Sequence, residues 1–187
     1  GSYLGGGDAT GRADTIGRFI PADFNVAVAS DGDLDAACAA TFTYTGQAAG
    51  YATGMEPQLT ITARNRSGTT TTNYRGAYAK MTAADVDVAG PSQDSTEIGR
   101  AGNPVAVASS INTGTLVANG DGTLTHTLAS ADRFTYAKVD NARIDPFTPD
   151  LDLAVTGADD GEAAADPAVV PLTVEPAATH DIRFGRL

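Results

Sequence analysis

Cysteine is nearly absent from this chain. Cys38 is the only one in 187 residues, so no intramolecular disulfide framework is available, and the residue reads as a small buried hydrophobe. Histidine is almost as scarce. His126 and His180 stand alone, without HExxH or any similar spacing, which argues against a zinc site. Lysine is confined to Lys80 and Lys138. Positive charge is short overall: 12 Lys+Arg face 23 Asp+Glu, a net charge of −11. Such a chain is repelled by nucleic acid and by anionic membrane surfaces, and its charge suits solubility or salt tolerance. No run of 18 apolar residues occurs, so no segment reads as a transmembrane helix and no membrane insertion is expected. No signal peptide opens the chain, but Gly1-Ser2 reads as a tag-cleavage scar, so that absence carries no weight about secretion.

What is abundant points to β structure. The chain has 24 threonines, 8 serines and 21 glycines, a composition of strands punctuated by turns. Residues 3–15 read as a flexible linker around three consecutive glycines. A first strand follows, with Phe24, Val26 and Val28 on one face and Pro21 at its start or edge. "TFTYTG" places Phe42 and Tyr44 on one face of a second strand. In "QLTITARNRSGTTTTNYRG", residues 58–76, Leu59, Ile61 and Ala63 point one way, and "NRSG" reads as a hairpin turn. The threonine run is expected to return as a half-exposed strand, with Tyr74 and Tyr78 packing. "TAADVDVAG" fits a short helix or a strand with Val86 and Val88 inward. Further strands are expected at 105–118, at "TLTHTLAS" with Leu124, His126 and Leu128 sharing a face, and at "DRFTYAKV". "DPFTPDLDLAVTG", "VVPLTVEP" and "HDIRFGRL" close the series. Short strands at regular spacing predict an all-β fold, either one sandwich or two packed β-sandwich subdomains.

Few residues offer chemistry. Asp31, Asp33 and Asp35 alternate beside Gly32, and Asp159-Asp160-Gly161-Glu162 forms a second acidic turn. Calcium takes six to eight oxygens from carboxylates and carbonyls, so these five aspartates are the candidate metal ligands and calcium the one cofactor left open. The plain alternative for both is a solvated turn. His126, between two leucines, reads as a hydrogen-bonded core histidine. No GxSxG elbow is present, and the glycines at 5–7 lack the Lys-Ser/Thr of a phosphate loop. No catalytic and no cofactor-binding residue is assigned. An intramolecular isopeptide bond requires a buried lysine, for which only Lys80 and Lys138 qualify by type. The threonine rows can bind glycans through hydroxyls or merely solvate a sheet face.

Four stretches in order carry a resemblance: "IGRFIPADF", "CAATFTYTGQ", "LTITARNRSGTTTTNYRGAYAKM" and "IRFGRL". With "RFTYAKVDNARIDPFTPDLDLAV" they resemble the β-rich domain in the C-terminal region of MshQ-type proteins, encoded with the mannose-sensitive haemagglutinin (MSHA) type IV pilus of Gram-negative bacteria. "LTITARNRSGTTTTNY" is also similar to the opening hairpin of bacterial immunoglobulin-like domains of invasin type. The resemblance implies an immunoglobulin-like β-sandwich in an exported, modular protein at the cell surface or outside the cell. It also implies that the chain continues past residue 187, and it transfers no catalytic residue.

The expected organisation is then a tag scar and linker at 1–15, an immunoglobulin-like β domain at 16–90, a loop or linker at 91–104, and a second β half or second sandwich at 105–187. The expected function is a non-catalytic structural or adhesive module of a type IV pilus-associated surface protein. Its expected partners are other domains of the same chain, pilus or surface proteins, and glycans. The alternatives are a calcium- or glycan-binding module whose acidic turns at one end do the binding, and a carbohydrate-active enzyme domain.

Overall fold

The computed structural model describes residues 20–38, 41–98, 104–137, 144–178 and 180–183. The linker expected within 1–15, Lys138 and the last four residues lie outside that set. In chain order the strands are β1 (Asp23–Ser30), β2 (Leu34–Asp35), β3 (Phe42–Tyr44), β4 (Ala48–Tyr51), β5 (Gln58–Arg64), β6 (Val86–Ala89) and β7 (Gln93–Ile98). They continue as β8 (Pro104–Ser110), β9 (Thr115–Ala118), β10 (Thr123–Thr127), β11 (Arg133–Ala137), β12 (Leu151–Ala158), β13 (Val170–Val174) and β14 (Asp181–Arg183). Helical structure among the described residues is limited to two single 3-10 turns, Gly76–Tyr78 and Ala83–Asp85. The protein is therefore an all-β sandwich built of several mainly antiparallel sheets.

One sheet has the order β1-β5-β10-β9. Its register aligns apolar residues across three strands: Ile61 lies opposite Val26 on one side and Leu124 on the other. Leu59, Ile61 and Ala63 are completely buried, as alternation predicts. Each such aliphatic side chain contributes roughly 1.5–3 kcal/mol on leaving water, so a one-residue slip in register would be expensive. A second sheet runs β2-β4-β11-β8-β7, a third β13-β12-β6, and β14 pairs parallel with β3. Pro171 sits in β13, an edge strand, where its missing N–H costs no ladder bond. Residues from all four sheets meet in one core cluster, with Phe24, Phe134, Tyr136, Leu151, Leu172 and Ile182 among its members.

Three expectations need correction. The threonine run is not a return strand. Thr70 makes a single bridge to Arg64, and the chain then turns away. The neighbours of β5 explain this: Ala63 accepts from Thr71 N at 2.7 Å, but its own N–H donates to Gly122 O at 3.0 Å, and β10 occupies the rest of that edge. Tyr74 packs in the core at 5.2 Å from the Phe24 ring, whereas Tyr78 is 59% exposed. Residues 93–98, expected as loop, form β7 against β8, interrupted by a register shift between Asp94 and Ile98. Phe42 and Tyr44 do share a face, with rings 5.1 Å apart, but Thr43 is the residue of β3 that points into the core. Strands from both sides of residues 91–104 hydrogen-bond in shared sheets, as β5 does with β10 and β6 with β12.

Candidate functional site

The first acidic loop follows β1. Gly32 takes a left-handed φ of +74°, and a Cβ there would lie 2.7 Å from Met55 O and Pro57. The loop is pressed against that segment, and Asp33 N donates to Met55 O at 2.9 Å. Asp33 also bridges Glu175, whose carbonyl accepts from Leu34 N at 3.1 Å. Asp31 and Asp33 thereby line an open cleft of about 610 Å³ together with Thr173 and Glu175. Asp35 lines a different cleft of about 510 Å³, with Glu56, Ser130 and Arg133. Its Oδ1 accepts from the adjacent Ala36 N–H at 2.8 Å.

The second acidic turn lies at the far end of the same strand pair. Glu175 directly follows Val174, which pairs with Leu151 at the start of β12; Asp159 directly follows Ala158 at its end. Eight strand residues separate them, on the order of 26 Å. The acidic turns therefore do not share one end of the molecule. Asp159 Oδ1 accepts from Gly161 N at 2.8 Å, and Asp160 Oδ1 from Glu162 N at 3.0 Å and Ala163 N at 2.9 Å. Asp160 Oδ2 accepts from the Tyr74 hydroxyl at 2.6 Å, and that oxygen in turn accepts from Met81 N at 2.9 Å and Lys80 N at 3.2 Å. Burial, then Asp160, pushes the Tyr74 phenol up to about 12. Lys80 is half exposed and pairs with Glu162 at 2.7 Å, so it is not the buried lysine an isopeptide bond requires. Among the described residues, no three His, Cys, Asp or Glu side chains come together as a metal would need.

Of the buried polar groups, the sequence singles out only the two histidines, His126 and His180. Asp94 is fully buried, and its Oδ2 accepts from the Tyr136 hydroxyl at 2.8 Å and from Asp150 N at 3.2 Å. Asp132 is also fully buried; its Oδ1 accepts from Asn112 N at 2.7 Å and Asn112 Nδ2 at 3.1 Å. The Tyr51 hydroxyl approaches Asp132 Oδ2 at 3.4 Å. Both phenols, Tyr51 and Tyr136, are held far above the ordinary tyrosine range, first by burial and then by their carboxylates. The Asp150 carboxyl is raised by burial and then by Asp152, Glu175 and Asp94. Thr43 Oγ1 accepts from Ala37 N at 2.9 Å and shares a hydrogen bond with His180 Nε2 at 2.8 Å. Cys38 is half buried, and its thiol donates to Gln47 Oε1 at 3.1 Å.

His126 occupies the core face of β10 with Leu124 and Leu128, as alternation predicts, and is 2% exposed. It is not hydrogen-bonded as expected: neither ring nitrogen has a partner. The imidazole is among the residues lining an open cleft of about 200 Å³ between residues 83–88 and 111–114. Burial lowers its pKa, with Asp132 opposing.

Against known proteins, the model of one family, described as "DUF6701, third domain", matches residues 1–178. No curated protein and no solved structure matches the chain. A match over nearly the whole length places the protein in a family: it belongs to the DUF6701 third-domain family.

Proposed function

We propose that the protein is a stiff, non-catalytic structural or adhesive module of an exported surface protein associated with a type IV pilus, similar to the C-terminal β domain of MshQ-type proteins. The observation that carries this reading is how the polar groups are used. Tyr74–Asp160, Tyr136–Asp94, Asn112–Asp132 and Thr43–His180 each tie segments 20 to 137 residues apart in sequence. Three of these ties place a carboxylate in or near the core, where low local dielectric strengthens each bond and penalises its loss. Such cross-ties resist local opening, which suits a domain that displays neighbouring domains away from the cell. The description of the family as a third domain fits a modular chain. The acidic loops, at opposite ends of β12, then act as solvated connections.

Surface labelling of the source bacterium tests this. An antibody raised against the domain is expected to label intact cells, and in-frame deletion of the domain is expected to reduce pilus-dependent agglutination. Labelling only after permeabilisation, or unchanged agglutination with the domain deleted, refutes the proposal. A calcium-dependent rise in Tm would instead give the acidic loops a metal, because a ligand that binds only the folded state stabilises it.

A further inference from the structure

The geometry points to the cleft beside Arg133 as a binding site for a short, extended peptide in zwitterionic form, its carboxylate on Arg133 and its ammonium on Asp35 or Glu56. This goes beyond the structural role.

A row across three strands builds the site. Asp35 in β2 pairs with Gly50 in β4, and Phe134 in β11 pairs with Ala49, which brings Arg133 opposite Gly50. Alternation buries Leu34, Ala49, Tyr51 and Phe134 and turns Asp35, Gly50 and Arg133 to the outer face. Glycine in the middle leaves a floor between an acid and a base. A Cβ at Gly50 would lie 2.7 Å from Arg133 Nη1 and 3.1 Å from Asp132 O, so the absence of a side chain lets the guanidinium settle against β4.

The guanidinium is fixed in one orientation. Nη1 donates to Ser130 O at 2.8 Å and to Asp132 O at 2.6 Å, which uses both of its hydrogens. The opposite edge, Nε and Nη2, has no partner among the described residues. That edge carries two parallel N–H groups, the fork that takes a carboxylate bidentately. Arg64 shows the contrast: its Nε donates to Asp23, its Nη1 to Asn25 and its Nη2 to Asp166 O, so its fork is occupied. Arg133 is anchored through one nitrogen and open at the other two, in a cleft of about 510 Å³.

The charges of the cleft select the ligand class. Asp35 and Glu56 line it with Arg133, and among the described residues neither forms an ion pair with the guanidinium. A simple anion meets both carboxylates and a chain of net charge −11. A simple cation leaves the fork unused and faces Arg133. One ligand with both a carboxylate and an ammonium complements all three side chains. Length narrows the class. Asp35 and Arg133 stand two strand spacings apart, on the order of 10 Å, and three extended residues span about 10 Å. A free amino acid is too short to bridge them.

The test is an NMR titration of the whole chain with triglycine, acetate and ethylammonium. Saturable shifts of the Arg133 Nε–H signal and the Gly50 amide are expected with triglycine, at a Kd at least tenfold below that for either single-charge probe. Arg133→Lys keeps the charge without the fork and is expected to weaken triglycine binding about tenfold. The double variant Asp35→Asn with Glu56→Gln leaves the anchoring of Arg133 in place, and so serves should the change at Arg133 disturb the turn at 130–132. It is expected to weaken triglycine about tenfold and to leave acetate binding no weaker. No saturable shift with triglycine, triglycine binding no tighter than acetate, or binding unchanged in either variant overturns the proposal and leaves Arg133 as a cap on the turn carbonyls.

Discussion

At the scale of single residues, the two histidines set a pH dependence. Burial is the larger cause in each case, opposed at His126 by Asp132 and at His180 by Asp35 and then Asp181, and both pKa values fall below the ordinary 6.5. The unfolded chain therefore binds protons at a higher pH than the folded one. Stability rises with pH wherever the unfolded state holds more protons. The contribution is complete above about pH 6.5 and is lost as pH falls from there toward the folded values. Thermal unfolding followed by circular dichroism should show a flat Tm above neutrality and a decline beginning near pH 6.5. His126→Leu should remove part of that decline. A Tm that holds steady until the carboxylate range, or an identical decline in the variant, contradicts the assignment. Tyr136→Phe probes a different residue. It removes the hydroxyl donor from fully buried Asp94 and should cost about 1–3 kcal/mol in urea denaturation, whereas Tyr44→Phe, at 42% exposure, should change stability by less than about 0.5 kcal/mol.

At the scale of elements, alternation was legible and pairing was not. Leu59-Ile61-Ala63, Leu124-His126-Leu128 and Phe134-Tyr136 all face inward, because a two-residue period survives whatever neighbour the strand acquires. The threonine run failed because its fate depends on which segment takes the edge of β5, and Gly122 and β10 lie some fifty residues further on. The acids at 31 and 160 were legible as turn residues from the glycines beside them, but Asp33 and Asp159 form bridges and Asp35 lies in β2. Their separation along β12, and the approach of Glu175 to Asp33, follow from register, which no local pattern encodes. Asp94 was hidden inside a polar stretch that reads as loop. The crossing at Gly122 yields a prediction. Gly122 has φ +92°, and a Cβ would lie 2.5 Å from Thr71 O. Gly120 has φ +86° with nothing within 4 Å. Gly120→Ala should cost about 1 kcal/mol from left-handed backbone alone, and Gly122→Ala about 1–3 kcal/mol, since backbone must also move. Paired denaturation curves check the order; equal losses would show that Thr71 yields freely.

At the scale of the whole molecule, the question is whether the two halves are separate folding units. Cutting the chain between residues 98 and 104 would take β10 from β5, β11 from β4, β12 from β6 and β14 from β3. Each of those strands would lose hydrogen-bond partners along one edge. Phe24, Leu59 and Ile61 from the first half, and Leu124, Phe134 and Leu151 from the second, belong to one core cluster, so the cut would also expose fully buried surface on both pieces. A half of about ninety residues is long enough to fold in principle, so the deficit is one of partners and not of length. Residues 1–98 and 104–187, expressed separately, should each give collapsed amide dispersion in NMR spectra and bind a dye for exposed apolar surface. The intact chain should unfold in one transition, with circular dichroism and tyrosine fluorescence coincident. A dispersed spectrum from either half alone would mean that its sheets are self-sufficient. The strand pairings between halves would then be docking contacts between two domains, and stiffness would have to come from that interface.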